Sequence, residues 1–116
     1  MKVGFDFYPG GKRKAATLSY DDGTIHDRTL IKIMNKYKIK GSFHLNSSRI
    51  GKEGYVTKEE LATLYKGHEV SLHGVEHLFL ANIPDQMLIE EIRGDRKFLE
   101  KVVGYVVNGM SYAMGS

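Results

Sequence analysis

Two carboxylates and two histidines carry the chemistry in this sequence. Asp21 and Asp22 stand side by side in Ser19-Tyr20-Asp21-Asp22-Gly23, and His73 and His77 bracket Gly74-Val75-Glu76 further along. Adjacent carboxylates repel, so both in one small pocket need a cation or a raised pKa. A divalent ion removes that difficulty: one Asp ligates it and the other stays free as a base. Neutral imidazoles ligate zinc, iron, cobalt or nickel. The chain has no cysteine, which leaves no thiolate ligand and no disulfide. Asp and His together therefore point to metal-assisted hydrolysis. Taken alone, Asp-Asp-Gly is ordinary turn composition, and two histidines at i, i+4 can be unrelated. The conjunction of the two motifs is what argues for a site.

Those residues need elements to carry them. The apolar run Ala15–Tyr20 reads as a strand stopped by Asp-Asp-Gly. Asp27–Tyr37 reads as a helix with Leu30, Ile31, Ile33, Met34 and Tyr37 on roughly one face. Gly41–Asn46 is the next strand. Thr57 followed by Glu60 is a capping box that opens a helix over Glu59–Tyr65, closed by Gly67. Glu69–His73 is a third strand. Pro84 opens a longer helix to about Val103, with Met87, Leu88, Ile92, Phe98 and Leu99 as its apolar stripe and Gly104 as its stop. Tyr105–Val107 leads into a fourth strand near Gly109–Tyr112. Val3–Tyr8 is an N-terminal strand candidate, set apart by Pro9-Gly10-Gly11.

This β-α-β-α-β-α-β order predicts an α/β fold, a parallel sheet with helices packed outside. In such sheets the chemistry lies beyond the carboxyl ends of the strands. Asp21, Asp22, His44, His73 and Ser111 all fall at or just after predicted strand ends. His44 itself reads as a packing residue or one that touches the site from behind. His26 falls near a helix start, and His68 is expected at the surface.

The bulk properties set limits. One domain is the natural reading of 116 residues, with 41% hydrophobic and 27% charged content typical of a soluble globular chain. No run of about 18 apolar residues exists to span a membrane. There is no signal peptide, so the chain reads as cytoplasmic, or as exported if a leader has been removed. The net charge of +3 gathers in Lys12-Arg13-Lys14 and along Lys32, Lys36, Lys38 and Lys40. Without aromatic interleaving or a nucleic-acid motif, this reads as solvated surface, and no nucleic-acid partner is expected. No phosphate-binding loop, dinucleotide fingerprint or nucleophile elbow is present.

Together these residues resemble the polysaccharide deacetylase family, the NodB-homology domain of carbohydrate esterase family 4. Leu18-Ser19-Tyr20-Asp21-Asp22-Gly23 is similar to its first motif, usually Thr-Phe-Asp-Asp-Gly. Gly41-Ser42-Phe43-His44-Leu45 resembles the Ala-Thr-Phe-Phe strand that follows. His73-Gly74-Val75-Glu76-His77 resembles its second motif, His-Ser/Thr-x-x-His. The resemblance implies a partial distorted (β/α) barrel. It implies a metal-dependent hydrolase that removes N- or O-acetyl groups from a carbohydrate. Asp21 would be the base, with Asp22, His73 and His77 holding a divalent metal: zinc, with cobalt or nickel as alternatives. Ser111, Met114 and His44 would fall nearest the oxyanion or substrate positions.

Three departures accompany the resemblance. Gly74 replaces the Ser/Thr that would brace the second motif. Ser111, Ala113 and Met114 stand where the third motif has Arg, Pro and Tyr. No histidine follows His77 to serve as the family's catalytic acid. The expectation is a single, truncated domain over residues 1–116 with impaired deacetylase activity. The competing expectation is a metal- or glycan-binding remnant, or a fragment that self-associates through an open sheet edge.

Overall fold

The structure, a computed structural model, describes residues 7–115. Three β-α units follow one another: β1 (Ser19–Asp21) and α1 (Asp27–Lys36), β2 (Ser42–Leu45) and α2 (Lys58–Leu64), β3 (Glu69–Leu72) and α3 (Asp85–Val103). The strands form one parallel sheet in the order β1-β2-β3, so each unit lies beside the last. This is the repeating architecture of a (β/α) barrel, present as an arc. Among the described residues no helix is long and apolar enough to cross a membrane.

The helices begin and end where local chemistry dictates. Glu60 turns back to accept the Thr57 N–H at 2.7 Å, which opens α2. α3 starts after Pro84 and stops at Gly104, whose left-handed backbone (φ 79) lets its N–H reach the Glu100 carbonyl. A two-pronged contact from Arg28 to Glu60, at 2.7 and 3.0 Å, ties α1 to α2.

Alternation along the strands gives the sheet two unlike faces. Phe43, Leu45, Val70 and Leu72 point toward the helices and join Ile31, Met34, Leu61, Tyr65 and Leu99 in the core. Register pairs Asp21 with His44 and His44 with Ser71 on the opposite face. That face is polar. Ser19 bonds His44 at 2.8 Å, and the Ser42 hydroxyl donates to Glu69.

Several expectations need correction. β1 is three residues, not six: Ala15–Leu18 are exposed. The Leu18 carbonyl still accepts the Ser42 N–H at 2.8 Å, but the ladder does not continue upstream of Ser19 among the described residues. The expected fourth strand is a single parallel bridge between Leu72 and Met110. Glu100 holds the Val107 N–H at 3.0 Å, and Ala113–Gly115 curl into a 3-10 turn, so little of the segment is free to pair. Of the N-terminal candidate, 3–6 lie outside the described residues, and Tyr8 bridges back to Lys12 instead. His68 is buried, accepting the Gly41 N–H at 3.2 Å and bonding Asn35 at 3.1 Å. On α3, Met87 is exposed, and the buried stripe is Glu91, Asp95 and Leu99.

A third buried acid lies on α1. Asp27, in the first turn of α1, accepts the Tyr65 hydroxyl at 2.7 Å. Burial pushes its carboxyl above the ordinary value, against the pull of that hydroxyl. A raised folded-state pKa favours folding most in acid, and that contribution is lost as pH rises through the folded value. Tyr65→Phe removes the donor and raises the carboxyl further. Urea unfolding should therefore show a loss of about 1–3 kcal/mol at neutral pH, shrinking in acid where Asp27 is protonated. An equal loss at both would mean the hydroxyl does not serve the carboxylate.

Candidate metal centre

The carboxyl ends of β1 and β3 deliver the two motifs to one place. Asp22 follows β1 directly, anchored by its N–H to the His44 carbonyl at 2.9 Å. His73 follows β3, and a turn at Gly74 (φ 84) brings His77 back beside it. The His73 and His77 rings meet edge to face, with centroids 4.8 Å apart. Asp22 Oδ1 lies 3.6 Å from His77 Nε2 and 4.0 Å from His73 Nε2. One ligand atom from each of the three residues lies within 4.8 Å of the others. Donors around a tetrahedral zinc ion sit about 3.3 Å apart. The triad needs only a slight contraction to close on an ion.

The ligand atoms are also prepared chemically. His73 Nδ1 lies 2.9 Å from the Ser111 carbonyl. A carbonyl only accepts, so Nδ1 carries the proton and Nε2 keeps its lone pair toward Asp22. Asp22 (φ 77) and His77 (φ 60) both adopt left-handed backbone. Such conformations cost about 1–3 kcal/mol each in non-glycine residues and persist where surroundings enforce them. Two of the three candidate ligands therefore sit on strained backbone.

Asp21 projects beside the triad, with Oδ2 at 3.9 Å from His73 Nε2. It is half-exposed, at 47%, which leaves it open to solvent and substrate. His44, its register partner, is buried on the polar face, where burial lowers its pKa and keeps the ring neutral at pH 7. Its Nδ1 has no partner. Ser111 approaches through its carbonyl rather than its hydroxyl. Met114 lies on the terminal 3-10 turn, 68% exposed with φ 57.

Four contributors were missed from sequence. Arg49 donates to Asp22 Oδ1 at 2.9 Å and lies over the Tyr55 ring at 5.6 Å. No motif announces it. Asn46, fully buried, donates to the carbonyls of His73 and Gly74 at 2.8 and 2.9 Å. Asp95, also fully buried, accepts N–H groups from Ser47, His73 and Gly74. Burial pushes its carboxyl above the usual range, against the opposing pull of those donors. Glu91, one turn before it, accepts the Glu76 N–H. A signal for Asp95 existed: Leu88, Ile92, Asp95 and Leu99 follow core spacing, with a charge where an apolar residue belongs.

Comparisons with known proteins identify the family and the fold. The profile of the polysaccharide deacetylase family matches residues 9–116. A peptidoglycan-N-acetylglucosamine deacetylase of Bacillus cereus is 29% identical over 92 residues, 78% of this chain and 42% of that protein. The Streptococcus pyogenes deacetylase PplD, solved in complex with acetate, superposes with a TM-score of 0.87 at 19% identity. That match covers 96% of this chain and 50% of PplD. The Bacillus subtilis peptidoglycan deacetylase PdaC gives 0.72 at 25% identity, over 86% of this chain and 49% of that one. The chain thus spans half or less of the length of these relatives, 42% to 50%.

The Ser111 carbonyl is held in place by a close approach. Gly109 O accepts the Leu72 N–H and the Ser111 N–H returns to Leu72 O, both at 2.9 Å. A Cβ at Gly109 would lie 2.3 Å from Ser71 Oγ. Gly109→Ala should displace this segment from His73 and weaken Co²⁺ binding by about tenfold or more. Adding Ser71→Ala, which removes the clashing hydroxyl, should recover part of the loss. Calorimetric titration of the two variants, with circular dichroism as the folding check, measures both effects. Undiminished affinity in Gly109→Ala would break the link between Ser111 and the metal ligand.

Proposed function

The chain belongs to the polysaccharide deacetylase family, and from that membership we propose that it carries the metal and base half of a carbohydrate deacetylase. The substrate class is an N- or O-acetylated polysaccharide or oligosaccharide. Asp22, His73 and His77 hold the divalent ion: zinc, with cobalt or nickel as alternatives. The observation that carries this reading is the convergence of their three donor atoms within 4.8 Å. When bound, the ion supplies Lewis acidity toward the acetyl carbonyl and its attacking water.

The chain's own residues do the rest. Asp21 accepts the proton of the attacking water, and its exposure and its place beside His73 suit it to that task. The Ser111 carbonyl keeps His73 in the tautomer that ligates. Met114 and the neighbouring main chain are assigned to the oxyanion side by the resemblance, and His44 forms a neutral floor beneath Asp21. Among the described residues, no group at this site is placed to protonate a leaving amine. An ester substrate has the better leaving group and should depend less on such an acid.

One observation favours a second reading, retention of metal or glycan without turnover. Arg49 pairs with Asp22 and not with Asp21, so the base lacks the cation that the family's third motif supplies. In either reading the outer edge of β1 has no partner among the described residues, which supports self-association. A radius that grows with concentration in light scattering is the expected result.

An acetate-release assay with acetylated chito-oligosaccharide and acetylxylan, with Zn²⁺ or Co²⁺ added, separates the readings. Asp21→Asn should lower turnover by about 10²–10⁴-fold while leaving metal binding intact. Asp22→Ala should lose both. Metal binding without acetate release on either substrate would assign the chain to the second reading. Absence of metal binding would overturn the first reading and leave only glycan retention of the second.

A further inference from the structure

We propose that the loop bearing both histidine ligands is held in its metal-binding shape by a buried acidic clamp on α3, Glu91 with Asp95, completed by Asn46. The clamp takes the place of the hydroxyl that Gly74 lacks. Glu91 and Asp95 would then be positioning residues for the metal, a role that rests on the metal-dependent reading of Asp22, His73 and His77.

The contacts divide the loop between them. Asp95 Oδ1 accepts the Ser47 N–H at 2.8 Å, just beyond β2. Its Oδ2 accepts the N–H groups of His73 at 3.0 Å and Gly74 at 3.1 Å, just beyond β3. Asn46 donates to the carbonyls of those same two residues. The peptides around His73 are thus gripped from both their donor and acceptor sides. Glu91 then catches Glu76, the residue before His77, at 3.0 Å. Every residue from His73 to His77 is either gripped or adjacent to one that is.

Gly74 is part of the same device. With φ at +84 it adopts a backbone that side chains avoid, and a Cβ there would lie 2.9 Å from Glu91 Oε2. A Ser or Thr at this position would press on Glu91 Oε2 and shift that carboxylate from its place on the loop amides. Neither acid forms an ion pair with a basic side chain among the described residues, which leaves the loop N–H groups as their partners. Buried carboxylates persist only where hydrogen bonds compensate them, so these acids and the loop conformation are mutually dependent.

Two measurements test this. Amide exchange in the metal-free chain should show protection of the His73, Gly74 and Glu76 N–H groups. Glu91→Ala should release Glu76, and Asp95→Asn should release the Ser47 or His73 end. Co²⁺ titration should show an affinity loss of about 10–100-fold in both variants. Glu91→Gln, which keeps an acceptor for Glu76, should restore most of it. Gly74→Ala should also weaken binding, and Glu91→Ala on top of it should add little, because the clash and the clamp are lost together. Should Asp95→Asn fail to fold, the Gly74 and Glu91 variants carry the same comparison. Strictly additive losses, or wild-type affinity and protection in the Glu91→Ala chain, would overturn the clamp. A wild-type chain that binds no Co²⁺ yet shows the loop protection would instead overturn the proposed function and leave the clamp standing as a loop brace.

Discussion

A parallel sheet delivers all its carboxyl ends to one side, and everything at this site depends on that geometry. The register is set on the apolar face, where Tyr20 lies beside Phe43 and Phe43 beside Val70. A slip of one residue would send Phe43 and Leu45 into the polar row and bring Ser42 and His44 against the helices. The core therefore specifies which residues end the strands. Asp21 aligns with His44, and His44 with Ser71, because the opposite face has to be dry.

The polar face raises a different problem, since buried polar groups need partners. His44 meets Ser19, and Ser42 meets Glu69. Ser71 is covered by the Gly109–Ser111 segment, whose closeness only glycine permits. That same segment turns the Ser111 carbonyl onto His73. A packing requirement on the sheet and the tautomer of a metal ligand are thus met by one stretch of backbone. Among the described residues His44 Nδ1 and Ser71 Oγ have no hydrogen-bond partner, although Gly109 packs closely over Ser71.

The parts of this arrangement that were legible in sequence are those written in side-chain type. Thr57 with Glu60, Pro84 and Gly104 marked helix ends because capping is a local matter of one side chain and one backbone group. The convergence of Asp22, His73 and His77 was legible because each falls at or beyond the end of a strand that the apolar pattern marks. Ser111 was placed at a strand end and near the oxyanion or substrate side, yet its contact with His73 is made by its carbonyl, a group every residue possesses. Ala15–Leu18 had the composition of a strand, but β2 begins only at Ser42, so beyond the Leu18 carbonyl's bond to Ser42 no strand lies opposite for them to pair with among the described residues. Glu91 and Asp95 drew no reading from sequence, because a carboxylate's burial depends on N–H groups supplied by distant loops.

The departures at Gly74 and Ser111 have a common physical logic. In each, a side chain that the family motif would supply is missing. In each, the contact at that place is made with main chain: carboxylates of α3 on the loop amides, and a carbonyl on His73. Main-chain groups move only with their element, so this exchange couples the ligands to α3 and to the 109–111 segment as rigid bodies. The left-handed backbone at Asp22 and His77 then becomes intelligible. Strain of that kind relaxes wherever the chain is free to relax it. It persists here because Asp22 is tied to β2 through the His44 carbonyl, and the residue before His77 is tied to α3 through Glu91. The anchors of these two residues thus lie in the sheet and in a long helix, and the fold itself places the candidate ligand atoms.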